Sequence, residues 1–328
     1  MNDPHPLLQT PYRERIDRRE AVGRLSAALV AGGAIAAGAI FFHDRSGTES
    51  GRIAVPDWRV EATGLPPGVI SHGGDPAANV RRAVTALGGM DRFVKRGESV
   101  LLKPNAGWDR LPEQAADTNP EVIAELVRLC LAAGARRVIV ADISCNDPLR
   151  SFERSGIGPA ARRAGAEVVT SRRVHLVRAA VGGPVTGLQV MGELLAADRV
   201  INVPVVKQHS LSRATLGMKN WFGVLGRGRA RLHQSIDHSI AELAATFRPT
   251  LTVVDATRIL MANGPQGGSL ADVKRLDAVA VGIDPVACDA WGAALLGLQP
   301  RSLGFIAAAE GRGLGHGDPN LLRDLGTA

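Results

Sequence analysis

Apolar residues in this chain come in short continuous runs separated by longer stretches of helical spacing. Residues 68–71, 99–102, 137–140, 167–170, 200–206, 251–254 and 278–283 are runs of four to seven mostly apolar residues, the length of strands buried on both faces. Between them, Val122, Leu126, Leu129 and Cys130 recur on one face of a helix over 121–133. Ile236, Ile240, Leu243, Ala244 and Phe247 do the same before Arg248-Pro249 stops the pattern. Asp75-Pro76, Asn119-Pro120 and Asp284-Pro285 mark helix starts, the last two helices of this kind running to about 133 and 296 and the first to about 87. A shorter helix is expected near 157–164, and 175–187 reads as a hairpin about Gly182-Gly183. Strands alternating with helices predict an α/β fold. The sheet should be mainly parallel, with helices on both faces in Rossmann-like layers.

The N-terminal residues follow another pattern. Arg18-Arg19 precede an apolar, Gly/Ala-rich run over 25–42, as in a twin-arginine export signal, though a membrane anchor has the same length. The expected organisation is therefore a signal or anchor over 1–45, a Gly/Pro-rich linker over 46–67 and one α/β domain over 68–328. Export places that domain on the periplasmic or extracytoplasmic side of a membrane, with the Tat translocation machinery as a partner.

Run 200–206 is the one around which candidate chemistry gathers. It reads Val-Ile-Asn-Val-Pro-Val-Val, with Pro204 placed near a strand end or edge, and breaks into Lys207-Gln208-His209-Ser210. A short helix capped by Ser210 or Ser212 should then carry Thr215, Lys219 and Asn220. Other runs end the same way: Lys103 and Asn105 follow one, and Asp142, Asp255 and Asp284 follow three more. In open α/β sheets ligands bind beyond the carboxyl ends of the strands, so these residues predict a single polar rim. Asp142 and Asp255 serve equally well as turn or cap residues, and Asp284 is read as a helix cap.

Composition sharpens the picture at one point. Of 39 Lys and Arg residues only five are lysine, and three of those, Lys103, Lys207 and Lys219, fall on the rim. A chain that otherwise writes Arg uses Lys where a compact ammonium, or a reactive amine, matters more than charge. The net charge of +7 favours anionic partners, while the lack of any recognition motif or basic–aromatic interleaving argues against nucleic acid. Arg227-Gly228-Arg229-Ala230-Arg231 is either a solvated turn or a phosphate or lipid contact. His209 and His233 are acid–base candidates, with His233 also a candidate metal ligand. Asn202, Asn263 and Asp289 complete the expected ligand-binding set, Asn263 through its loop with Gly264-Pro265.

Several of these segments together resemble the DUF362 family: Leu102-Lys103-Pro104-Asn105, Thr118-Asn119-Pro120, Asn202-Val203-Pro204-x-x-Lys207-x-His209, Met218-Lys219-Asn220-x-x-Gly223, Asn263-Gly264-Pro265 and Asp284-Pro285-Val286-Ala287-x-Asp289. Family members that carry a ferredoxin module are iron–sulfur proteins. Cys130, Cys145 and Cys288 are too widely spaced for such a cluster, so none is expected here. A fainter similarity is to the N-terminal domain of nickel-pincer lactate racemases, which implies His209 ten residues before a cofactor-bearing Lys219. The expected function is an enzyme that holds a small anionic ligand or cofactor in a Lys/His/Asn/Asp cleft. Lys103, Lys207, His209 and Lys219 would act on the ligand, and Asn105, Asn202, Asn220, Asp255, Asn263 and Asp289 would bind it. The alternative is a non-catalytic carrier or cofactor-maturation factor at the membrane.

Overall fold

The structure, a computed structural model, describes residues 52–327. The twin arginines and the apolar run after them lie outside the described residues. Among the described residues twelve strands and nine α-helices follow in order. The first half comprises β1 (Gly68–His72), α1 (Pro76–Ala86), β2 (Ser99–Pro104), α2 (Pro120–Ala132), β3 (Arg137–Asp142), α3 (Pro148–Arg154), α4 (Ile157–Arg163), β4 (Glu167–Thr170), β5 (Leu176–Arg178), β6 (Gln189–Met191) and α5 (Gly192–Leu195). The second half comprises β7 (Arg199–Val203), β8 (Val205–His209), β9 (Arg213–Thr215), α6 (Gly217–Asn220), α7 (Ile236–Thr246), β10 (Leu251–Leu260), β11 (Val273–Gly282), α8 (Pro285–Leu295), α9 (Gly304–Gly311) and β12 (Arg323–Thr327).

Eight strands form one path in the order β12-β1-β11-β10-β7-β2-β3-β4. Only β11 runs against the others, pairing antiparallel with both β1 and β10. Period-two alternation sorts the strand residues onto two cores. Val100, Leu102, Val138 and Val140 meet Val80, Ile123, Leu126 and Phe152 of α1, α2 and α3. Leu101, Ile139, Val200 and Val254 meet Ile240, Leu243, Val286 and Phe305 of α7, α8 and α9 on the other face. This is the expected α/β architecture with helices on both sides. Asx-Pro starts recur because side chain and ring act together: Asp75, Asn119, Asp147 and Asp284 each accept a backbone N–H of the first turn, and the proline that follows has none to satisfy. Among the described residues no helix is long and apolar enough to cross a membrane.

The central run departs from expectation in a way that matters. Pro204 does fall at a strand end, between β7 and β8, but the chain resumes at once as a second strand instead of turning away. β7 lies between β2 and β10, as far as the pairs Pro104–Val203 and Thr252–Asn202. Beyond the proline, β8 stays with β10, at Asp255–Val205, and gains β9 as its other neighbour. The sheet thus forks at Pro204. Lys207 and His209 lie on a strand rather than after one, and Ser210 and Ser212 turn a hairpin instead of capping a helix. The short helix α6 is only four residues long and leaves Thr215 on β9. The 175–187 region forms a wider hairpin than expected, β5 pairing antiparallel with β6.

Candidate functional site

In the fork lies a cleft of about 300 Å³. One wall is the carboxyl ends of β2 and β3, with Lys103, Asn105, Asp142 and Cys145. The other is β8 and β9, with Lys207, His209 and Thr215. Lys219, Asn220, Phe222 and Gly223 close it from α6 and the turn after it, and Arg229 and His233 stand beside them.

The three lysines differ in what they touch. Lys103 is fully committed: its Nζ pairs with Asp142 Oδ1 at 2.8 Å and donates to Asn220 Oδ1 at 2.9 Å and Pro104 O at 2.8 Å. Burial holds its pKa down, against the pull of Asp142. Lys207 Nζ donates to Ala116 O at 2.5 Å and Asn105 Oδ1 at 3.1 Å. Burial lowers its pKa too, against the charge of Asp117, whose own pKa is raised by the same burial. Lys219 is 7% exposed and its Nζ lies 4.7 Å from the centre of the Phe222 ring, with no hydrogen-bond or ion-pair partner among the described residues. Burial, then the charges of Lys207, Arg229 and Lys103, bring its pKa down to about 8.

The two histidines carry their protons on opposite nitrogens. His209 Nδ1 accepts the backbone N–H of Leu211 at 3.0 Å and of Ser212 at 3.3 Å, so its proton sits on Nε2. Burial and the neighbouring Lys219 and Lys207 charges push its pKa down to about 3. It is a neutral hydrogen-bond donor, not a proton acceptor. His233 Nδ1 faces Ala230 O at 3.0 Å and must donate to it, which leaves the lone pair on Nε2. Its ring packs edge-on against Phe222 at 5.3 Å, and burial lowers its pKa. Among the described residues no three His, Cys, Asp or Glu side chains, His233 included, converge as a metal site. Lys103, Lys207, Lys219 and Arg229 make the lining of this cleft strongly basic.

Asn220 is the hub of the polar floor. Its Oδ1 accepts from Lys103 and, at 3.1 Å, from Asn105 Nδ2, while its Nδ2 donates to Asn202 Oδ1 at 2.8 Å. Asn202 is fully buried behind it and donates to Gly217 O at 2.8 Å.

Of the residues expected on the rim, Lys103, Asn105, Lys207, His209, Lys219, Asn220 and His233 do line one cleft. Asn202, Asp255, Asn263 and Asp289 do not. Asp289, on α8, accepts Gly217 N at 2.7 Å and Met218 N at 2.9 Å, so it anchors the start of α6 and hence Lys219. Asp255 accepts Asn119 N at 2.7 Å and Thr257 N at 3.0 Å, tying α2 to β10. Asn263 is exposed and bonded to Asp272 Oδ2 at 2.9 Å, although Pro265 of its loop reaches the cleft. Asp117, which carries no signal in the sequence, is buried behind the cleft, where its charge acts on Lys207; its Oδ1 accepts Trp108 N at 2.9 Å, while its buried Oδ2 has no partner among the described residues. Arg229 is no solvated turn residue; it donates to Ile143 O at 2.9 Å and Phe222 O at 3.1 Å.

Residues 100–294 match the model of a domain of unknown function, DUF362. The thylakoid-associated protein sll1697 of Synechocystis sp. is 30% identical over 249 residues, which cover 74% of this chain and 76% of that protein.

Proposed function

The chain belongs to the DUF362 family, and from the chemistry of its cleft we propose that it is an enzyme acting on a small anionic molecule bound between the two branches of the sheet. One observation carries this reading: the Lys219 ammonium is buried without a counter-ion beside Lys207 and Arg229. An unpaired buried charge costs several kcal/mol unless it is neutralised or meets an opposite charge. An anion entering the cleft supplies that charge. Asn220 and Asn105 orient the lysines, His209 Nε2–H is a donor to an anionic oxygen, and His233 Nε2 is a base.

Calorimetric titration of the purified full chain with phosphate, oxalate and pyruvate at low salt tests the reading. At least one should bind, and Lys219→Met should weaken it tenfold or more. No binding by any of them, or equal binding by the variant, would count against it. A carrier or cofactor-maturation factor is the competing role. Protein purified from its native host with an intact stoichiometric small molecule that it never transforms would favour the carrier.

We also propose association with a membrane surface, after export. The relative from Synechocystis is named as thylakoid-associated. The loops that give Trp108 and Pro265 to the cleft, and the turn that follows His209, also carry four exposed large apolar side chains: Leu111, Leu211, Met261 and Leu270. Hydrogen bonds from Arg110 to Gln266 O, Gln114 to Gly268 O and Gly264 N to Gln208 tie these loops together. Replacing Arg18 and Arg19 by Lys should strand the protein in the cytoplasm; unchanged fractionation would refute the twin-arginine route.

A further inference from the structure

The cleft holds three amines, and only one is free to react. Lys103 spends its three protons on Asp142, Asn220 and the Pro104 carbonyl, and Lys207 spends two of its three on Asn105 and the Ala116 carbonyl. Lys219 has none of these bonds, and its Nζ rests on the face of Phe222. The same ring carries His233 on its edge, with the Nε2 lone pair unused. Across the cleft His209 offers an Nε2–H that cannot be lost to Nδ1, since that nitrogen accepts two backbone N–H groups. Amine, base and hydrogen-bond donor thus share one cavity, with Arg229 and Lys207 left to hold a negative group.

We propose that Lys219 forms a Schiff base with the carbonyl group of a small anionic aldehyde or ketone. This rests on the anion-binding reading above and adds the reactive group of the substrate. The Nζ lone pair adds to the carbonyl carbon while the carbonyl π pair moves onto oxygen, which His209 Nε2–H stabilises. His233 Nε2 takes a proton from the new ammonium and delivers it to that oxygen, giving a carbinolamine. A second N–H proton follows the same route, the C–O bond breaks, and one water leaves as the C=N bond forms. No oxidant or reductant enters the step. The depressed pKa of Lys219, about 8, leaves roughly a tenth of the amine neutral at pH 7.

The lysine economy of the chain makes the test clean. Among side chains only Lys95, Lys103, Lys207, Lys219 and Lys274 can be labelled, Lys95 and Lys274 are the exposed pair, and peptide mapping separates all five from the terminal α-amine. The full chain is incubated with pyruvate or with glyceraldehyde 3-phosphate, the imine is trapped with borohydride, and the adduct is mapped by peptide mass spectrometry. The two probes separate a carboxylate from a phosphate as the anionic group. The expected result, with at least one of them, is a single adduct at Lys219, absent from Lys219→Arg, whose melting curve should match wild type. Adduct yield should rise about tenfold between pH 7 and pH 9, where an ordinary lysine rises about a hundredfold. Labelling confined to Lys95 or Lys274, or an equal yield from Lys219→Arg, overturns the proposal. Calorimetry with lactate and inorganic phosphate, which carry no carbonyl, reads the anion site alone. Binding there without any trapped adduct sinks the Schiff base and leaves the anion site standing; failure of both ends both.

Discussion

Gly223 is the tightest position in the cleft, and replacing it with alanine gives the sharpest check on the buried pair beneath it. A Cβ on Gly223 would stand 1.9 Å from Asp142 Oδ1 and 2.5 Å from Lys103 Nζ. Neither distance is tolerable, so something must move. Asp142 cannot turn aside freely: its Oδ1 also accepts Ile143 N at 2.9 Å and its Oδ2 accepts Ala106 N at 2.7 Å. Gly223 cannot retreat freely either, since its own carbonyl accepts Ile143 N at 2.8 Å. The least disruptive outcome separates Lys103 from Asp142. Breaking a buried pair costs about 3–5 kcal/mol, against a total stability of about 5–15 kcal/mol for a domain. For a folded domain of this size the melting temperature should fall by about 5–9 °C. Denaturant titration of Gly223→Ala, with Asp142→Ser and the double variant, isolates the cause. Asp142→Ser removes the shorter contact and leaves only the far end of the flexible Lys103 side chain to move, so adding Gly223→Ala to it should cost less than adding it to wild type. A Gly223→Ala protein within about 1 kcal/mol of wild type would refute the reasoning, because a real contact of this kind cannot be absorbed so cheaply.

Two further outcomes follow from protonation. Nitrogen NMR of His209 should show the Nε2–H tautomer unchanged from pH 5 to pH 8, since its pKa is near 3; titration near the ordinary histidine value would contradict the bonds to Leu211 and Ser212. Lys219→Met should raise the stability of the ligand-free protein at pH 7, because the folded state holds this ammonium at a pKa of about 8 against 10.5 for the free side chain. The penalty is at full strength below pH 8, at most about 3 kcal/mol. It fades as pH rises from about 8 to beyond 10.5, so the two proteins should converge there in denaturant titrations. A pH-independent difference would mean that packing, not charge, is responsible.

The strand runs and the Asx-Pro starts made the α/β order legible, because each depends on neighbours in sequence. The rim lysines were legible for a related reason: a charge beside a buried run must be explained by a partner or a cleft. The fates of Asp255 and Asp289 were not. Asp255 looked like a strand end, yet β10 continues to Leu260, since β8 accompanies it past the proline break. Asp289 looked able to reach the rim, but its carboxylate is spent on amides 71 and 72 residues away in sequence. Asp117 gave no local sign at all, and Arg229 only that of a basic loop. Their importance comes from Lys207, Phe222 and Ile143, which only the folded chain brings near. The short hydrophobic turn after α6 likewise hid Phe222, on which both Lys219 and His233 depend.

The division of the sheet at Pro204 has a mechanical meaning. Two rigid arms, β2 with β3 and β8 with β9, meet at a hinge-like joint and are spanned above it by few bonds, among them Lys207 to Asn105 and to Ala116. A guest molecule that touches both arms acts as a cross-brace. It stiffens the arms against splaying without adding a single backbone bond to either. The amides of β8 and β9 should therefore exchange with solvent more slowly when the cleft is filled, while those of β2 and β3, clamped deep in the parallel layer, should barely change.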